Sequence, residues 1–193
     1  HTRICQEFFK QIIMKKTNSL LILILSVYCF SFSNNSHNII EEIPVTQTYP
    51  INGTSPYNSY FGSGVYNSDD ANWIKVNTPK NSDIVFIVKD IYSGKTIRNE
   101  FIRKNSSFTL TDIPNGTYEF LYFSGNNWSY NESMKNGRIK GGFTKNKSFT
   151  KSEKISDRII FEYGYYGGGM TLTLSQVYNG NLETQPADED DFF

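Results

Sequence analysis

Apolar and polar residues alternate with a period of two through the central part of the chain, which is the pattern of β-strands. Ile84, Phe86 and Val88 alternate with the equally apolar Val85 and Ile87, so both faces of this run are hydrophobic. A strand with two apolar faces is covered on both sides. We therefore expect this run to lie in the middle of a sheet.

Three more runs in residues 83–124 predict strands: Thr96 to Lys104, Ser107 to Asp112 and Thr117 to Ser124. Short turns at Ser93-Gly94 and Pro114-Asn115-Gly116 separate the runs. Glycine permits the backbone angles of tight turns, and proline cannot donate a hydrogen bond to a sheet. Gly116 is expected to have a positive φ angle.

Strand patterns continue on both sides of this central block, and no segment after residue 33 has a helical period. Residues 72–77 predict the first strand, and residues 155–163 and 170–178 predict the last two. Several short strands without helices are typical of all-β proteins. The fold predicted is a single antiparallel β-sandwich of about seven strands, spanning residues 66–182.

The turn sequences of the central block resemble those of known exported domains. Tyr92 to Ile97, Phe108 to Leu110 and Ile113 to Tyr118, the last reading IPNGTY, are similar to carboxypeptidase regulatory-like and transthyretin-like domains. Residues 60–193 are also similar to an uncharacterised family of bacterial envelope proteins. These resemblances imply a small Ig-like or transthyretin-like sandwich with an accessory or adhesive role, and they bring no catalytic residues to this chain.

The N-terminal part of the chain has the pattern of an export signal. Met14-Lys15-Lys16 precedes an apolar run at residues 20–28, and small residues follow at Ser31 and Ser33. This order is that of a secretory signal peptide over residues 14–33, cleaved between Ser33 and Asn34. The apolar run is shorter than the roughly 20 residues of a membrane helix. Residues 1–13 are then an upstream, non-native extension.

Cleavage at this site would place the mature protein outside the cytoplasm, in the periplasm, on the outer surface or in the medium. Both cysteines, Cys5 and Cys29, precede the site, so the mature chain would form no disulfide. Cys29 could carry a lipid instead, although the bulky Tyr28 before it disfavours that modification. Otherwise, membrane contact is expected only through an uncleaved signal peptide.

Two polar segments flank the predicted domain. Residues 34–65 are rich in Asn, Ser, Pro and Tyr without a regular period, which predicts a flexible tether. The alternative is that Tyr49, Tyr57 and Tyr60 lay the end of this segment across the sandwich. Residues 183–193 form an acidic tail, which lacks the spaced ligands and glycine turn of a calcium-binding loop.

Charge and histidine content exclude several classes of function. The formal net charge is zero, and no stripe of Lys and Arg is present, so no nucleic-acid partner is expected. The two histidines, His1 and His37, both lie before the predicted domain. We therefore expect no Ser-His-Asp or Cys-His catalytic site, no histidine-based zinc site and no histidine-ligated haem. No other metal site or cofactor is expected either.

Aromatic residues in irregular segments are the candidate binding residues. Residues 125–142 predict a long polar loop with Trp128 and Tyr130, and a glycine-rich hairpin tip carries Tyr165 and Tyr166. Flat aromatic faces among small polar residues are common in loops that bind sugars or proteins. The alternative is that Trp128 packs back onto the sandwich as part of its core.

These patterns predict a non-catalytic exported protein of the cell envelope, with a structural role or with an unknown protein or surface polysaccharide as its partner. A second hypothesis is a carbohydrate-binding module that uses Trp128 and the neighbouring tyrosines. The third is a glycosidase that works through a carboxylate pair without histidine. The carboxylates of the domain fall mostly at strand ends or outward positions, as surface residues do.

Overall fold

The computed structural model describes residues 48–153, 155–164, 167–175 and 182–193. The predicted signal peptide, its cleavage site at Ser33 and Asn34, and both cysteines lie outside the described residues. The strands found within these ranges are β1 (Asn72–Asn77), β2 (Asp83–Asp90), β3 (Thr96–Ile102), β4 (Ser107–Ile113), β5 (Gly116–Met134), β6 (Ile139–Ser152), β7 (Ile159–Phe161), β8 (Gly169–Thr173) and β9 (Thr184–Ala187). Two four-residue helices, α1 (Asn58–Phe61) and α2 (Glu189–Phe192), and a 3₁₀ turn at Ile155–Asp157 complete the described elements.

The strands form two sheets. The smaller sheet has the order β4-β1-β8, in which β1 is antiparallel to β4 and parallel to β8. The larger sheet has the order β3-β2-β5-β6-β9, and β7 pairs with the start of β5. The all-β prediction is confirmed, and the two sheets are consistent with a β-sandwich. The parallel pair and the nine strands of the described residues differ from the antiparallel, seven-stranded expectation.

The predicted loop at residues 125–142 is instead part of a long β-hairpin. Strand β5 continues without a break to Met134, and a turn at residues 135–138 leads into β6. Pairs such as Trp128 with Phe143 join the two strands, with register shifts at two places. The low strand propensity of Asn and Gly predicted a loop here. In the structure, continuous pairing to a neighbouring strand outweighs such preferences.

One apolar core lies between the two sheets. It consists of Ile74, Val76, Ile84, Phe86, Val88, Ile97, Ile102, Leu110, Ile113, Tyr118, Phe120, Ile159, Phe161 and Leu172. A second core covers the outer face of the larger sheet and contains Tyr57, Val85, Ile87, Phe101, Leu121, Phe123, Trp128, Met134, Ile139, Phe143 and Phe192. Strand β2 contributes to both cores, which confirms that it is a central strand covered on both faces.

Residues 48–65 are not a tether but part of the folded unit. The amide of Gly53 donates to the Phe101 carbonyl at 2.9 Å, and the Phe101 amide donates to Thr54 at 2.7 Å. The Tyr57 side chain is fully buried on the outer face of the larger sheet. This segment covers the open edge of β3, whose backbone groups would otherwise lack partners. The interpretation in which tyrosines lay the segment across the sandwich agrees with these contacts.

The acidic tail is folded as well, so the domain extends beyond residue 182. Strand β9 pairs with the end of β6, and α2 buries Phe192 in the second core. Asp188 caps α2 by accepting a hydrogen bond from the Asp191 amide at 2.9 Å. A side chain that accepts from a free amide at a helix start stabilises the helix, so the acidic residues have a structural role here.

The turn before β5 is closed by a tyrosine hydroxyl. Tyr118 donates from its hydroxyl to the Pro114 carbonyl, four residues earlier, at 2.8 Å. Sandwich proteins use this arrangement, called a tyrosine corner, where the chain passes between sheets. The positive φ expected at Gly116 is wrong: Asp112 has that conformation, with a φ of 57°. Gly116 is needed for space, because a Cβ there would lie 2.6 Å from the Tyr118 hydroxyl.

Gly116→Val is expected to lower the free energy of unfolding by about 1–3 kcal/mol, because the added atoms overlap the Tyr118 ring. Thermal or urea unfolding of the full chain measures the change. Tyr118→Phe keeps the ring but loses the hydroxyl bond, and should cost about 1 kcal/mol. A wild-type melting temperature for Gly116→Val would contradict the packing of Tyr118 over Gly116.

Candidate functional site

Trp128, the first candidate binding residue, is a core residue of β5. Its side chain is 8% exposed. The indole ring centroid lies 5.2 Å from that of Phe143 and 5.3 Å from that of Phe101, both in edge-to-face geometry. Such aromatic contacts stabilise a core beyond the area they bury. The structure therefore agrees with the alternative in which Trp128 packs back onto the sandwich.

Tyr130 lies two residues further along β5 and is half-buried. Its ring contacts Trp128 with centroids 6.1 Å apart, and its hydroxyl donates to the Thr48 carbonyl at 3.3 Å. The structure thus brings Trp128 and Tyr130 together beneath the N-terminal segment. Tyr165 and Tyr166, the other two candidates, lie outside the described residues.

The tyrosines of the N-terminal segment also have structural roles. The Tyr57 hydroxyl donates to the Gly141 carbonyl at 3.2 Å, and burial raises the pKa of this tyrosine. Tyr49 donates to the carboxylate of Asp83. Burial and that hydrogen bond raise the pKa of Tyr49 to about 12. Both hydroxyls therefore stay protonated at neutral pH and hold the segment on the sheet.

The two buried carboxylates of the described residues serve structural bonds. Asp83, 4% exposed, accepts from the Lys104 amide at 2.8 Å through the oxygen that Tyr49 does not use. Glu100, 2% exposed, accepts from Arg98 at 2.8 Å and from Ser55 at 3.0 Å. A catalytic acid or base needs an oxygen that can reach substrate. All four oxygens of these groups already accept hydrogen bonds.

The outer face of the smaller sheet carries an exposed tryptophan. Alternation along β1 turns Trp73 and Lys75 outward, opposite the buried Ile74 and Val76. The Trp73 side chain is 36% exposed. Its ring lies against the backbone of Gly169 in β8, where an added Cβ would be 2.1 Å from Cε2. One side of the indole is thus supported by the sheet, and the ring still offers surface to solvent.

A buried asparagine holds the glycine backbone beneath this ring. Asn72, 1% exposed, accepts from the Gly168 amide at 2.8 Å. Its side-chain amide donates to the Ile113 carbonyl and to Asn115 Oδ1, both at 3.0 Å. These bonds link β1, the chain before β8 and the turn before β5. They fix Gly168 and Gly169, and so they fix the support of Trp73.

Polar residues continue the sheet face of Trp73 along β1 and its two neighbouring strands. Lys75 lies between Thr109 of β4 and Thr171 of β8 in the strand register. In the next row, Asn77 lies between Ser107 and Thr173 and donates to the Thr173 hydroxyl at 3.2 Å. We call these seven residues the Trp73 face: Trp73, Lys75, Asn77, Ser107, Thr109, Thr171 and Thr173.

Several groups on the Trp73 face have hydrogen-bonding capacity to spare. The side chains of Lys75, Thr109 and Thr171 are exposed and make no hydrogen bond or ion pair with any described residue. The alternation in residues 72–77 indicates this surface, because it places the Trp73 ring on the polar side of a strand. Trp73 is not among the candidate binding residues of the irregular segments, because it lies within a strand.

Comparison of the chain with protein-family models, with curated protein sequences and with solved structures finds no match in any of the three. Within the described ranges, no helix has the length and hydrophobicity needed to cross a membrane. In the same part of the chain, no group of three or more His, Cys, Asp or Glu side chains is placed to hold a metal ion.

Proposed function

We propose that this chain is a non-catalytic, exported binding module of the bacterial cell envelope, and that it binds its partner through the Trp73 face. The observation that carries this proposal is the exposed indole of Trp73, supported from beneath by Gly169. Large exposed aromatic residues held in one position lose little entropy on binding and are frequent anchors of recognition surfaces. The buried Asn72 network keeps this anchor in place.

The non-catalytic part of the proposal is supported by the carboxylates. Asp83 and Glu100 are the buried ones among the described residues, and each is committed to structural hydrogen bonds. A carboxylate-pair glycosidase, the least favoured alternative, needs two carboxyl groups that face one substrate. A carbohydrate-binding module built on Trp128 is also less favoured, because that ring is buried in the second core.

Export and fold type are further parts of the proposal. The basic, apolar and small-residue order of residues 14–33 supports export, and fractionation of cells that express the chain from residue 14 onward tests it.

A transthyretin-like or Ig-like sandwich is supported by the two sheets and by the Tyr118 corner in the IPNGTY turn. Membership of the uncharacterised envelope family rests on the same segment.

Trp73→Ala is expected to abolish capture of the envelope partner while leaving the fold intact, because the ring belongs to neither core. The full chain and the variant serve as baits in a pull-down from envelope extract, after thermal melting has shown both to be folded. Tyr92→Ala is the matched control, since Tyr92 is 83% exposed in the turn between β2 and β3. Equal capture by wild type and Trp73→Ala would contradict this use of the surface.

A further inference from the structure

We infer that the partner bound by the Trp73 face is a polysaccharide chain of pyranose sugars. This inference rests on the proposed binding function and names the chemistry of the ligand. The indole of Trp73 would stack on the C–H face of one sugar ring. Lys75 and the threonines beside it would hydrogen-bond to hydroxyls of that sugar and of the next one along the chain.

The Trp73 face carries groups that suit both surfaces of a sugar, the apolar face of its ring and the rim of hydroxyls. A pyranose ring has an apolar face of C–H bonds, which is attracted to the negative face of an aromatic ring. Its rim carries hydroxyls, each of which both donates and accepts hydrogen bonds. Thr109 and Thr171 likewise donate and accept, whereas Lys75 donates. None of these three side chains has a partner among the described residues, so each can bond to a ligand without breaking a hydrogen bond to that part of the chain.

The dimensions of the face favour a chain over a single sugar. Residues two apart on a strand are separated by about 6.6 Å, and neighbouring strands by about 4.8 Å. The three rows marked by Trp73, Lys75 and Asn77 therefore extend about 13 Å along β1. This length exceeds one sugar ring. A ligand of two or more linked sugars can therefore contact all three rows.

A protein partner fits this composition less well. Protein interfaces are enriched in aromatic residues, Met and Arg, and depleted in Lys and Ser. Six of the seven residues of the Trp73 face are Lys, Asn, Ser or Thr, and none has an aliphatic side chain. A protein binding here would have to remove water from these polar groups around one aromatic ring. Trp73 is the one apolar side chain among these seven residues, so little apolar burial within the face would offset that cost.

Co-sedimentation with insoluble polysaccharides tests the inference directly. The full chain is mixed with purified peptidoglycan, chitin or cellulose, and the bound fraction is measured over a range of protein concentrations. We expect binding to at least one of these polymers, and the three arms identify the sugar type. Trp73→Ala should weaken binding about tenfold or more, because it removes the stacking ring. Tyr92→Ala, which removes an aromatic residue that is exposed in the turn between β2 and β3, should bind like the wild type.

Two further variants separate ring position from hydrogen bonding. Gly169→Ala keeps Trp73 but pushes its ring off the sheet, since the new Cβ would overlap Cε2. It should therefore bind as weakly as Trp73→Ala. The double variant Thr109→Val and Thr171→Val keeps the shape of both side chains and removes two hydroxyls. It should bind more weakly than the wild type, although less so than Trp73→Ala. Thermal melting of each variant confirms that it is folded before it is used.

The two proposals fail in different ways. If no polysaccharide binds the folded chain while envelope extract yields a protein that Trp73→Ala does not capture, the sugar inference is wrong and the binding function stands. If neither experiment yields a partner, both proposals are wrong. Sedimentation of Trp73→Ala at wild-type levels would place sugar binding elsewhere on the chain and overturn the inference for this face.

Discussion

Tyr57→Ala is expected to lower the free energy of unfolding by about 3–5 kcal/mol, the range for loss of a large aromatic side chain from a core. The Tyr57 side chain has no exposed surface. Its ring contacts Phe193 at 5.0 Å, Trp128 at 6.1 Å and Phe192 at 6.2 Å between centroids. Alanine would leave a cavity among these rings, at the point where the N-terminal segment meets α2.

Urea unfolding of the full chain measures this effect, and Ile51→Ala provides the matched control. Ile51 belongs to the same segment but is 67% exposed, so its truncation should change stability by less than about 0.5 kcal/mol. A flexible tether at residues 34–65 predicts no effect for either variant. Equal free energies of unfolding for Tyr57→Ala and the wild type would therefore support a flexible tether and contradict the second core.

Glu100→Leu is expected to destabilise the protein by about 3–5 kcal/mol, because it leaves a buried positive charge without its partner. Arg98 is 5% exposed and Glu100 2% exposed. The Arg98 guanidinium donates from Nε to Glu100 at 2.8 Å and from Nη1 to the Thr111 carbonyl at 2.8 Å. It also lies 4.2 Å from the ring centroid of Tyr66. Both charges project toward the smaller sheet from β3.

The double variant Arg98→Met and Glu100→Leu should recover most of the stability lost in Glu100→Leu. Replacement of a whole buried ion pair by apolar residues of similar volume is often nearly neutral, whereas removal of one partner is not. Unfolding of the wild type, both single variants and the double variant gives the coupling energy of the pair. Additive effects of the two single changes would show that Arg98 and Glu100 do not form a coupled pair in solution.

Local patterns were sufficient for the central strands of this protein. The two apolar faces of β2 and the IPNGTY turn follow from side-chain alternation and from the backbone limits of Pro and Gly, which act over a few residues. They correctly indicated a central strand, an all-β fold and a turn before β5. The local argument failed at Gly116, where the constraint comes from the Tyr118 ring lying over it.

The second core shows why other elements were missed. Tyr57 and Phe192 are buried only because segments from the two ends of the described chain meet on one sheet face. Neither segment has a period that marks it as core, since each contributes a few large rings among polar residues. The burial of Trp128 was missed for a similar reason. Its neighbours Asn and Ser predicted a loop, whereas pairing with β6 makes this segment a strand.

In the candidate site, too, some features follow from the local sequence and others from the tertiary structure. The sequence by itself determined the all-β class and a first strand at residues 72–77 in which Trp73 and Lys75 alternate with Ile74 and Val76, because alternation along a strand assigns each residue to a face. Only the tertiary structure placed Gly169 beneath the indole, Asn72 beside that glycine, and threonines of β4 and β8 on either side of Lys75. Those neighbours come from strands far apart in the chain. Sheet pairing and register, which depend on the whole fold, decide which of their side chains share a surface.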